Sequence, residues 1–200
     1  MQLIVGTDST WSLRAWLCAQ IVGVDVEVKV IDLSKEERKA ELKALSSSGL
    51  VPVLRDKQVT IHDSLAIAEY LNELSNGKLY PHAQSERAVA RAMCNEMHSG
   101  FMCLREQCSF TLETVPPADL THPGLKQDVE RVTAIFSQAQ GRFMFEEPGL
   151  VDAFYAVLAY RLQTYGIELQ GKALDYQRSL LNWSLLNKGI DELRAWQANV

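Results

Sequence analysis

The chain has 200 residues, a formal net charge of -5, 47% hydrophobic and 22% charged residues. That composition is an ordinary globular one, with room for one large domain or two small ones. The charge is spread over both parts of the chain, which argues against an acidic tail and against a basic field for nucleic acid, and no run approaches the roughly 20 apolar residues of a membrane helix. No basic-then-apolar leader is expected either, because Met1-Gln2-Leu3-Ile4-Val5-Gly6 already reads as a strand.

Leu3-Ile4-Val5 is short and apolar, as a buried strand is. Thr7-Asp8-Ser9-Thr10 gathers turn and N-cap residues, and Trp11, Ala15, Cys18, Ala19 and Val22 then recur at helical spacing up to a natural stop at Gly23. Val26 to Val30 alternates with period two and predicts a strand. Ser34 is read as the cap of a polar helix from Lys35 to about Leu45. Ser46-Ser47-Ser48-Gly49 is a loop, and Val51–Leu54 with Val59–Ile61 predicts a hairpin through Asp56-Lys57. Ser64 to Leu74 reads as a helix, and Ser75 to Pro81 as a boundary of turn residues. Beyond it the pattern is helical throughout. One long helix is expected from Ser85 to about Leu112, stopped by Pro116-Pro117, and a second from Pro123 to about Gln140. The strongly apolar Leu150–Tyr165 follows as a central helix, then Lys172–Leu186 and Ile190–Ala198. Tyr155, Tyr160 and Tyr165 recur at spacing five, so they cannot all face one way.

The four cysteines, Cys18, Cys94, Cys103 and Cys108, form no CxxC and no metal-ligand spacing. They are expected to be free thiols of a reducing cytoplasm, with neither a disulfide framework nor a metal.

Two stretches carry chemistry. Gly49-Leu50-Val51-Pro52-Val53 enters a strand through a Val-Pro bond, the bond type that adopts cis at modest cost. A cis bond there turns the Val51 N–H and C=O outward, where an extended peptide can pair with them. Ile61-His62-Asp63-Ser64-Leu65-Ala66-Ile67 places a carboxylate and a hydroxyl at a helix N-terminus, beside amides with no helical partner. Together they form a peptide clamp with an anion site at one end; separately they are a surface turn and a capped helix.

This pair resembles the glutathione-binding half of a cytosolic glutathione transferase of the bacterial, serine-type, zeta/beta-like kind. Glu96-Met97-His98-Ser99-Gly100-Phe101 and Asp152-Ala153-Phe154-Tyr155-Ala156 extend the likeness over nearly the whole chain. The resemblance implies a thioredoxin-like α/β N-terminal domain (1–77), a linker (78–84) and an all-α helical-bundle C-terminal domain (85–200). It implies activation of the glutathione thiol for attack on a small electrophile, with glutathione as co-substrate, a cytoplasmic homodimer, and no nucleic-acid or membrane partner. A non-enzymatic binding or regulatory module on the same fold is the alternative.

The activating hydroxyl implied is Ser9, with Thr10 and Ser12 as alternatives. Glutathione contacts fall on Ser9, Thr10, Trp11, Leu50, Val51, Pro52, Asp63 and Ser64. Asp63 would pair with the γ-glutamyl ammonium, and Ser64 and its amide would hold the carboxylate. The electrophile is expected near Trp11, His98, Phe101 and Met102. Three departures stand out. Leu50 occupies a position where related enzymes commonly carry lysine, and Asp8-Ser9-Thr10 replaces the Ser-Ser-Cys of the isomerase branch, which argues against maleylacetoacetate isomerisation. Gly149 stands where the family has Ser or Thr, so Asp152 is left to cap the central helix alone, a folding role rather than a catalytic one.

Overall fold

The computed structural model describes residues 1–200. Two compact units emerge: Met1–Leu79 with Asn187–Val200, and Tyr80–Leu186.

The first unit is built on four strands, β1 (Gln2–Gly6), β2 (Glu27–Ile31), β3 (Val53–Asp56) and β4 (Val59–His62), in the order β2-β1-β3-β4. β1 and β2 are parallel, so a crossover must join them, and α1 (Thr10–Val22) supplies it. β1 and β3, and β3 and β4, are antiparallel. Side chains alternate faces along each strand. Ile4, Ile31 and Val53 lie on one face and pack with Leu42 of α2 (Arg38–Leu45). Leu3 and Leu54, register partners on β1 and β3, are buried on the other face. α3 (Ser64–Leu74) packs against α1 and closes the order β-α-β-α-β-β-α of a thioredoxin-like fold.

α1 ends as expected, with Gly23 left-handed at φ 76 and its N–H bonded back to Ala19 and Gln20. α2 does not begin as expected. Ser34 caps nothing; its N–H and Oγ both donate to Asp32 Oδ1, at 2.9 and 2.7 Å. This local turn competes with the helix, so α2 starts only at Arg38, without a side-chain cap.

The second unit holds α4 (Gln84–Ser99), α5 (Met102–Gln107), α6 (Pro123–Phe136), α7 (Leu150–Thr164) and α8 (Gly171–Leu181). The single helix expected from Ser85 to Leu112 is therefore broken. Gly100 is extended and Phe101 is left-handed at φ 58. A Cβ at Gly100 would lie 2.7 Å from the Glu96 carbonyl oxygen, so the sharp exit from α4 needs glycine. α7 is central, with every residue from Leu150 to Ala159 buried. Tyr155 and Tyr176 meet Phe136 edge-on, at ring-centroid distances of 5.8 and 4.9 Å. The three tyrosines of spacing five part company: Tyr155 is buried and donates to Met93 O, Tyr160 lies against Phe110, and Tyr165 donates to Ser109 O.

The last helix, α9 (Ser184–Ala198), runs through Gly189, where the sequence suggests a break. The interruption falls earlier, at Asn182-Trp183. From Asn187 onward α9 belongs to the first unit, whereas 85–200 reads as one domain in the sequence. Gly189 lies close against α1: a Cβ there would stand 3.0 Å from the Leu13 side chain and 3.2 Å from that of Leu17. Gln197 bonds Asp8, and Lys188 lies 5.6 Å from the Trp16 ring. α1 is thus covered by α9 as well as by its own sheet.

Candidate functional site

The sheet register fixes which loops meet. Ile4 pairs with Val53, and Val53 with His62. The C-terminal end of β1, the N-terminal end of β3 and the C-terminal end of β4 therefore lie side by side. These ends lead to Ser9, come from Val51-Pro52, and lead to Asp63-Ser64. Three segments far apart in sequence are thereby delivered to one end of the sheet. The approach is close, because a Cβ on Gly6 would come within 3.0 Å of Val51 Cγ2 and 2.6 Å of Leu33 Cδ1. A larger residue there would push the Leu33 and Val51 side chains aside.

The Val51-Pro52 bond is cis. Val51 precedes β3, and no backbone hydrogen bond of the chain uses its N–H or C=O. Pro52 is buried, and Leu50 is 67% exposed. The loop is held by serine: Ser46 N–H donates to Leu42 O, and Leu50 N–H donates to Ser48 Oγ.

At the head of α3, Asp63 adopts φ 79, a conformation that non-glycine residues rarely take. Its Oδ1 accepts from Leu65 N–H at 2.8 Å and Ala66 N–H at 3.2 Å. The carboxylate is thereby the N-cap of α3, placed at the positive end of the helix dipole. Beside it Ser64 is 1% exposed, and its hydroxyl is buried without a hydrogen-bond partner. Backbone strain and an unsatisfied hydroxyl at adjacent residues are features a fold keeps where a ligand binds.

Ser9 is the N-cap of α1, and its Oγ accepts from Ser12 N–H at 3.1 Å. Accepting that bond leaves the Ser9 proton free to be donated. Thr10 is the first residue of the helix and, like Ser9, is mostly buried. Ser12 is fully enclosed, and its Oγ accepts from Gly6 N–H at 3.2 Å, which ties the loop to the strand. Trp11 is half-buried, with the Arg14 guanidinium 4.7 Å from its ring centroid. Cys18 lies two turns further along and is fully buried, and burial pushes its thiol far above the ordinary range. That environment is wrong for a thiolate nucleophile.

His98, Phe101 and Met102 lie in the other unit, at the junction of α4 and α5. His98 is half-buried in the last turn of α4. Phe101 is 5% exposed, and its ring meets Tyr155 edge-on at 6.5 Å, so much of it is spent on packing. Met102, by contrast, is 66% exposed.

Asp152 is enclosed in the first turn of α7. Its Oδ2 accepts from Gly149 N–H at 2.9 Å, and its Oδ1 accepts from Met144 N–H at 2.8 Å and from Tyr176 hydroxyl at 2.7 Å. Burial raises its pKa, while these three donors favour the carboxylate. The bond to Gly149 is the half of a capping box the sequence implies. The Met144 and Tyr176 contacts had no sequence signal, because they come from residues eight before and 24 after.

Residues 8–74 match the family model for the glutathione S-transferase N-terminal domain. Among curated proteins, the chain is 29% identical over 167 residues to a probable maleylacetoacetate isomerase of Caenorhabditis elegans, covering 80% of this chain and 78% of that one. It is 27% identical over 150 residues to a stringent starvation protein A homolog of Histophilus somni, covering 74% and 68%. A glutathione transferase homolog from Burkholderia GL BGR1, solved with bound glutathione, superposes with a TM-score of 0.74 over 97% of both chains, at 22% identity.

Proposed function

We propose that the chain is a glutathione transferase, on its match to the N-terminal domain of that family over residues 8–74 and on its fold, and that it transfers glutathione to an electrophilic carbon, with Ser9 activating the thiol. The observation that carries this reading is the buried, unpartnered Ser64 hydroxyl beside the strained Asp63, at the sheet end shared with Ser9 and Val51. In this reading Asp63 meets the γ-glutamyl ammonium of glutathione. Ser64 and the α3 amides hold its carboxylate, and Val51 pairs with the cysteinyl backbone. The sulfur then sits at the N-terminus of α1, where the Ser9 hydroxyl donates to it. A free thiol with a pKa near ~8.5 is mostly protonated at neutral pH, and a donated hydrogen bond within the positive end of a helix dipole favours the thiolate. No protein nucleophile is required.

The test is retention on immobilised glutathione, elution by free glutathione, and turnover of a panel of aryl halides, epoxides and enones. Retention without turnover of any of them would favour the regulatory alternative. Failure to bind would defeat the transferase reading and leave the non-enzymatic module.

Leu50 gives a quantitative check. Its side chain is exposed and offers neither donor nor charge to the glycine carboxylate of glutathione. An exposed ion pair is worth about 0.2–1 kcal/mol, and a partly buried charge-assisted one more. Leu50→Lys is expected to lower the Michaelis constant for glutathione by a few-fold to tenfold at unchanged turnover, since the contact is remote from sulfur. Titration of both proteins with glutathione decides it; no gain in affinity would sink the idea that Leu50 marks a missing carboxylate contact.

The reading also includes a cytoplasmic location and a homodimer. Light scattering at micromolar concentration should give twice the chain mass, and a monomer there counts against the pairing.

A further inference from the structure

α7 carries into the helical unit one charge that nothing in the unit neutralises. Arg161 is 5% exposed, and its Nε and Nη1 are buried without a hydrogen-bond partner. Burial, then the neighbouring Arg105, lower its pKa to about 10, so it is still a cation at neutral pH.

The groups facing it are Arg105, Cys108 and Tyr165. Arg105 is a like charge and is itself provided for: its Nε donates to Gly100 O at 2.9 Å, its Nη2 donates to Met97 O, and Asp128 lies near it. The Asp128 carboxylate also accepts from Leu104 N–H at 2.9 Å. Cys108 is buried, and burial pushes its thiol up, so it supplies no thiolate at neutral pH. Burial also raises Tyr165, whose hydroxyl donates to Ser109 O at 2.8 Å. The cluster thus holds two guanidinium groups and one carboxylate, and the odd cation is the more deeply buried one.

An unpaired buried charge is strongly destabilising, and a guanidinium is the side chain best shaped to grip an oxyanion through several N–H donors. We propose that Arg161 holds a small oxyanion, a carboxylate or an inorganic ion such as sulfate, between the end of α5 and the end of α7. The site belongs to the helical unit alone and does not depend on the reading of the glutathione site.

The test is the melting temperature of the full chain in increasing acetate or sulfate, at constant ionic strength balanced with chloride, for wild type and Arg161→Met. Wild type should gain about 5 °C or more at a hundredfold excess over the dissociation constant. Arg161→Met should be flat and, without oxyanion, no less stable than wild type. Arg161→Lys keeps the charge with fewer donors and should give a shallower rise; it also serves if the methionine variant does not fold. A response to acetate alone identifies a carboxylate, and a response to sulfate alone an inorganic oxyanion. A wild-type curve without response to either, or an equal response in Arg161→Met, overturns the proposal.

Discussion

Replacing Ser9 by alanine is expected to cut turnover about ten- to a hundredfold and leave glutathione affinity nearly unchanged, the loss of one charge-assisted hydrogen bond made to the thiolate. The structure gives the substitution a second consequence. Ser9 Oγ accepts from Ser12 N–H and caps α1. Alanine should therefore also cost stability, about 0.5–2 kcal/mol as cap losses do. The two effects separate in measurement. A cap loss lowers the melting temperature without moving the pH profile. Loss of the donor raises the pKa of bound glutathione, so the rise of kcat/KM with pH shifts to higher pH. A variant that melts lower but keeps its pH profile would leave Ser9 a cap alone. The assignment then passes to Thr10, whose replacement by alanine would shift the profile instead. Ser12 is the weakest candidate because it is fully enclosed, at 0% exposure, where no substrate sulfur can reach it.

The first unit was legible almost element by element because its signals are local. Alternation marked β2, Ser9 and Gly23 bracketed α1, and Asp63-Ser64 opened α3 where it begins. The three segments that meet at the candidate site were legible for the same reason, since each carries its own turn or cap chemistry. What was not legible depends on contacts between distant residues. Gly100 reads as a tolerable helix glycine until the Glu96 carbonyl is seen 2.7 Å from where its Cβ would stand. Gly189 reads as a breaker, yet it lies inside α9, close against Leu13 and Leu17 of α1. Ser34 reads as a cap, but Asp32 two residues earlier captures it. Arg161 sits in an apolar helical run with nothing in its spacing to show that no anion waits for it.

Asp152→Ala is expected to be among the most destabilising single substitutions in the chain. It removes at once the acceptor of three donors: Met144 N–H, Gly149 N–H and the Tyr176 hydroxyl. Asp152 is 1% exposed, and Met144 and Tyr176 are equally enclosed, so water does not readily replace the carboxylate. A buried donor left unsatisfied costs about 1–3 kcal/mol. Three coupled losses, even if far from additive, should reach about 3 kcal/mol or more, in the upper range for single substitutions. Asp152→Asn should lose less. Its one amide oxygen can still serve part of the set, but its NH2 must face an N–H donor. Gly149 sharpens the dependence, because it has no side chain with which to return the bond, so the carboxylate alone closes the start of α7. Both variants should bind glutathione normally once folded, since Asp152 lies in the helical unit and the proposed glutathione contacts lie in the other. Thermal denaturation paired with glutathione titration of the folded protein checks this. A variant with an unchanged melting temperature but impaired turnover would make Asp152 a reacting group rather than a structural one.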